Sequence, residues 1–230
     1  MSETSTLPAP PEVKRRKDYQ PSSFLIPEVD LDFALFEDHA RVTARITLVR
    51  NPAIERGQPL VLAGEQLELL AIRLDGRALE AERFSVDAEH LTIADLPENC
   101  ILETEVRIKP QENTALSGLY RDGAMFLTQC EAEGFRRITY YLDRPDVMAR
   151  FSVRLEAERA SCPVLLSNGN LLESGEAAGG RHWARWEDPF PKPSYLFALV
   201  AGDLACHEDT FTTASGREVI LRVYVERENI

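Results

Sequence analysis

Residues 29–50 read VDLDFALFEDHARVTARITLVR, and the alternation within them decides the fold. Side chains of an extended chain point to opposite faces in turn, so Val29, Leu31, Phe33 and Leu35 share one face. Glu37-Asp38-His39 reads as a turn, after which Val42, Ala44, Ile46 and Leu48 repeat the period of two. The two runs predict an antiparallel hairpin with one buried face, ended by Asn51-Pro52.

The same habit extends along the chain. Short alternating runs bounded by turn formers predict strands at 60–62, 68–74, 84–86, 90–93, 104–108, 149–157, 164–166, 181–187 and 218–225. Residues 195–201 are apolar throughout and predict a central strand buried on both faces. The exception is 143–148, where Pro145 after Arg144 predicts a single helical turn with Asp143 as its cap. Long amphipathic helical patterns are missing, so the expected class is all-β, an antiparallel sandwich or barrel-like domain, and not a βαβ fold.

Composition narrows the function. The 230 residues are long enough for a large core, and their 44% apolar content is ordinary for a globular protein. No apolar run approaches the roughly 18–20 residues of a membrane helix. A formal net charge of −12 argues against nucleic acid, whose phosphates recruit basic patches. Residues 1–23, MSETSTLPAPPEVKRRKDYQPSS, lack the apolar stretch of a secretory signal and predict a disordered tail on a cytoplasmic protein, with the Lys14–Lys17 basic run solvated. The far end, 224–230, stops in or just after a strand and predicts a piece of a longer chain. Cys100, Cys130, Cys162 and Cys206 form no C-x-x-C pair and are expected to be reduced thiols.

Several chemistries find no support. A G-x-S-x-G elbow and phosphate-binding glycine patterns are absent. None of His39, His90, His182 and His207 forms an i,i+4 pair, so no metal site is expected within the chain. What remains is TQCEAEG at 128–134, which, if extended, places Gln129, Glu131 and Glu133 on one face and Cys130, Ala132 and Gly134 on the other. Two carboxylates and an amide in a row can receive a cation with N–H donors, such as the free amino terminus of a peptide. The same pattern is also that of a solvated strand face, and spacing leaves both readings open. Arg136 and Arg137 follow at once, which suits a charged anchor better than a glycosidase-like acid and base. Trp183, Trp186, Phe190 and Tyr195, set among Pro189, Pro191 and Pro193, either grip a ligand or cover a sheet end.

Long runs of this chain resemble the zinc aminopeptidases of the aminopeptidase N type, in their bacterial cytosolic branch. The runs are Asn113-Thr114-Ala115-Leu116 with Gly118-Leu119-Tyr120, then 128–150, 165–170, 188–192, 195–203 and 209–218. The resemblance implies that 24–230 is the family's amino-terminal, saddle-shaped all-β domain, which packs over a catalytic domain of the same polypeptide. It implies a peptide substrate with a free amino terminus, held through its α-amino group by Glu131, while Gln129 lines the first substrate pocket. Glu133 is left to pair with Arg136 or Arg137. The zinc and its H-E-x-x-H motif are implied to lie beyond Ile230, so this chain alone is expected to be inactive. The competing expectation is a stand-alone β-sandwich module that offers the same face to a protein partner.

Overall fold

The computed structural model describes residues 15–230; residues 1–14, including most of the expected tail and Lys14 of the basic run, lie outside the described residues. The chain is all-β and mostly antiparallel. Its hairpin forms where the alternation placed it: Phe24–Leu35 pairs with Ala40–Arg50, with Leu31 opposite Ala44 and Phe33 opposite Val42. Val29, Leu31, Phe33, Leu35, Val42, Ala44, Ile46 and Leu48 are all buried, as a sheet with one covered face requires.

This hairpin sits at the centre of an eight-stranded sheet. On one side lie Asn99–Ile108, Glu68–Leu74 and Arg77–Ala78; on the other lie Met148–Glu158, Arg181–Pro193 and Asn170–Glu176. Phe24–Leu35 runs parallel to Met148–Glu158, with Leu31 opposite Val153, and all its other pairings are antiparallel. A second sheet of four strands, in the order Val164–Ser167, Leu199–Gly202, Met125–Gln129 and Gly118–Asp122, supplies the facing layer. Three short strands, Leu60–Ala63, His90–Ile93 and Phe84–Val86, make a third sheet.

The layers meet in a cluster of rings. Phe135 packs edge-on to Tyr141 at 4.9 Å, to Phe197 at 5.2 Å and to Phe151 of the large sheet at 5.9 Å, while Phe197 stacks on Phe33. Edge-to-face pairs at these separations add to the burial of large rings.

Two expected elements differ. Within 195–201 only Leu199–Gly202 is strand, central in its sheet, whereas Ser194–Leu196 forms a 3-10 turn and Leu196 is exposed. Residues 144–146 make a turn and no helix, and Met148 already opens a strand; Asp143 is buried and spends its oxygens on other partners. At the end of the chain Leu204–Thr212 and Glu218–Glu226 form a separate two-stranded ribbon that leaves Phe211, Ile220, Leu221 and Val223 exposed.

Candidate functional site

Strand Met125–Gln129 is fixed on both sides, with Phe126 opposite Ala201 and Gln129 opposite Gly118. Thr128 reinforces the join, its Oγ1 accepting from the Leu199 N–H at 2.8 Å. The ladder ends at Gln129, and here the structure corrects the expected extension through 134: residues 131–134 are a turn. The Gly134 N–H donates to the Cys130 carbonyl at 2.9 Å, the Glu131–Ala132 peptide is cis, and Glu133 has φ +67°. The row is therefore not a strand face. Cys130 and Gly134 are buried and Gln129, Glu131 and Glu133 are exposed, but Ala132, expected on the inner face, is exposed too, so the turn breaks the alternation in its middle.

The turn is closed tightly. A Cβ on Gly134 would lie 2.4 Å from the Gln129 carbonyl oxygen and 2.8 Å from the Cys130 Cα, both backbone atoms that cannot step aside. Gly134→Ala is expected to cost about 1–3 kcal/mol, as overpacking does, and to open the 130–134 turn to proteolysis. Denaturant melting and limited digestion measure this; an unchanged midpoint and digestion pattern contradict the packing described.

Downstream, Phe135 drives into the ring cluster and the Tyr141 backbone exchanges two hydrogen bonds with Ala63. Arg137 pairs with Glu65 at 2.8 Å and donates to Gln66 at 2.9 Å. The turn is thus held at both ends by core residues while its tip stays open.

That tip borders a cleft of about 760 Å³ whose lining includes Glu131, Glu133, Tyr141, Asp143, Ser194 and Tyr195. Gln129 is exposed at the strand end, two residues before Glu131, and is not among the residues that line this cleft. Glu131 has no hydrogen bond or ion pair with any described residue. Glu133 lies 3.6 Å from the Arg136 guanidinium. Between them, burial and the nearby Asp143 charge push the Cys130 thiol up to about 12, which excludes a thiolate nucleophile at neutral pH.

Some residues of the cleft carried no recognisable signal in the sequence. Tyr19, in the segment expected to be tail, donates to Asp146 at 2.8 Å, and Arg144 donates to the Gln20 carbonyl at 2.7 Å, so the leader forms part of the wall. Burial works against ionised Asp146, yet hydrogen bonds from Arg144 and Tyr19 outweigh it and hold the carboxyl below its usual range. The aromatic and proline cluster does not make one site. Trp183 lies under Arg154, Trp186 donates to the Leu165 carbonyl, Phe190 is exposed, and of the four rings Tyr195 alone lines the cleft.

No group of three or more His, Cys, Asp or Glu side chains among the described residues is arranged to hold a metal ion. His182 hydrogen-bonds the Cys162 carbonyl, and His39 and His90 pair with Asp38 and Asp87. The four cysteines are free, three of them buried. No helix among the described residues is long and apolar enough to cross a membrane.

A sequence profile for the Peptidase M1 N-terminal domain matches residues 28–196. Aminopeptidase N of Caulobacter vibrioides is 54% identical over 216 residues, covering 94% of this chain and 25% of that protein. Aminopeptidase N of Escherichia coli is 49% identical over 220 residues, with 96% and 25% covered. Among solved structures, Legionella pneumophila aminopeptidase A in complex with aspartic acid superposes with a TM-score of 0.90 at 35% identity, over 94% of this chain and 25% of that one. The chain spans about a quarter of the length of the curated relatives it matches.

Proposed function

This chain belongs to the Peptidase M1 N-terminal domain family, and from that premise we propose that it is the substrate-anchoring domain of a cytoplasmic zinc aminopeptidase. In this reading Glu131 binds the free α-ammonium group of a peptide, and Gln129, at the end of the strand that leads into the turn, helps line the pocket for the first substrate residue. The observation that carries it is the state of Glu131: a carboxylate on the rim of a sizeable cleft that has no partner among the described residues.

The chemistry follows from that carboxylate. An ammonium donates charge-assisted hydrogen bonds to it, and burying the pair under substrate strengthens the attraction. An internal peptide segment brings no ammonium and would leave the covered carboxylate unsatisfied, which penalises internal cleavage. The Legionella relative is a complex with aspartic acid, a ligand that carries this same group. Four free thiols agree with a reducing compartment.

The described histidines, cysteines and carboxylates do not suit a zinc ion, so the zinc of such an enzyme would be held by other residues of the longer protein. This chain supplies binding and orientation of the amino terminus.

The test compares a peptide anilide with a free amino terminus against its N-acetyl form in the full-length protein. The free form is expected to be cleaved at least about a hundredfold more efficiently, and the 230-residue chain alone is expected to hydrolyse neither. Equal cleavage of the two forms, or turnover by the chain alone, overturns the reading.

A further inference from the structure

Beside the cleft lies a carboxylate of a different kind. The Asp143 side chain is only 2% exposed, and its two oxygens take three hydrogen bonds. Oδ2 accepts from the Arg136 backbone N–H at 3.1 Å and from Arg136 Nε at 3.0 Å, while Oδ1 accepts from the Ser194 hydroxyl at 2.6 Å. Arg136 Nη2 also donates to the Asp143 carbonyl at 3.2 Å. Three segments that line the cleft are tied at one point: the turn carrying Glu131, the turn 143–146 and the turn Ser194–Leu196.

Arg136 is held on one side by these contacts and reaches Glu133 with the other, at 3.6 Å. An exposed ion pair is worth little when both side chains must be ordered to form it. Here the guanidinium is already ordered by Asp143, so the pairing costs the Glu133 side chain alone. Glu133 also sits at φ +67°, a left-handed conformation that a non-glycine residue keeps only where its surroundings hold it.

Glu131 and Glu133 are two residues apart at the rim of one cleft, and two unpaired carboxylates there would repel each other and compete for the same cation. We infer that the Asp143–Arg136 pair is the positioning device of the site: it draws Glu133 back and leaves Glu131 as the carboxylate presented to the incoming ammonium. Arg136 acts through Glu133 and the turn, and Asp143 acts through Arg136. This role rests on the reading of Glu131 as the amine anchor.

A double-mutant cycle in the full-length protein tests it, with Glu131→Gln, Glu133→Gln and the pair of substitutions, read as kcat and KM for a leucine anilide. Glu133 is exposed, so Glu133→Gln leaves the melting temperature essentially unchanged. In the native background Glu133→Gln is expected to raise KM about three- to tenfold while kcat changes by less than about twofold, because the Arg136 guanidinium, released by Glu133, is then free to pair with Glu131 in place of the substrate ammonium. In the Glu131→Gln background the same substitution is expected to change KM by less than about twofold, because there is no longer an anchor to position. An unchanged KM, or the same factor in both backgrounds, overturns the positioning role while leaving the anchor intact. If Glu131→Gln alone changes nothing, the anchor itself falls and the positioning role falls with it.

Discussion

Replacing Glu131 by glutamine in the full-length protein lowers kcat/KM for peptides with a free amino terminus by about 2–5 kcal/mol, roughly 30- to 5,000-fold, mainly through KM. The substitution keeps the shape and one acceptor oxygen of the side chain and removes its charge, so the loss reports the ion pair and not a cavity. The upper end applies if substrate and the remainder of the protein cover the cleft and exclude water. Stability should move by no more than about 0.5 kcal/mol, since Glu131 is exposed on a turn and has no partner among the described residues to lose. Steady-state kinetics with thermal melting as the control decides the matter. Native KM in the variant removes Glu131 from the site.

Truncating Phe135 has the largest expected effect on the fold. Its ring is fully buried and meets Tyr141, Phe151 and Phe197 at centroid distances between 4.9 and 5.9 Å. Phe135→Ala is expected to cost about 3–5 kcal/mol, from lost burial plus an unfilled cavity between the two layers. For a domain of this size that corresponds to about 6–20 °C in Tm. Phe135→Leu, which keeps much of the volume, should lose clearly less. Because Phe135 directly follows the 130–134 turn, the alanine variant should also weaken amine recognition at temperatures where the domain remains folded. A loss below about 1 kcal/mol by denaturant unfolding would show that the ring cluster does not join the layers as described.

How far the sequence could be read depends on what its period reports. The 29–50 hairpin was legible because one face is buried along its whole length, which turns alternation into register. Alternation says nothing about neighbours, so the parallel pairing of Phe24–Leu35 with Met148–Glu158 had no signature. Period two also misled at 129–134, where a turn buries Cys130 and Gly134 but leaves Ala132 exposed between the two acidic residues, which a strand would not. Gly134 was the available clue, since the turn leaves no room for a side chain there. Near the other end, Arg181–Pro193 continues through Pro189, Pro191 and Pro193, which argue against a strand until its register shift near Ala149 and Phe151 is seen. The amine-binding role assigned to Glu131 came from resemblance, and the geometry adds what resemblance lacked: a carboxylate with no partner among the described residues, two positions from one that is paired.

The parallel pairing at the centre of the large sheet also dictates when that sheet can form. Glu28 and Arg150, which face each other across it, are 122 positions apart, so no local nucleus closes this seam. Contacts of such separation slow folding, because the loop must be closed before any contact rewards it. On the ribosome, Phe24–Leu35 and Ala40–Arg50 emerge early and can form their hairpin, yet the outer edge of Phe24–Leu35 stays unpaired until more than a hundred further residues have been made. For that interval a long, half-apolar edge is open to other chains, the condition under which strands aggregate. Synthesis rate and chaperone supply should therefore govern the soluble yield of this domain more than its final stability does.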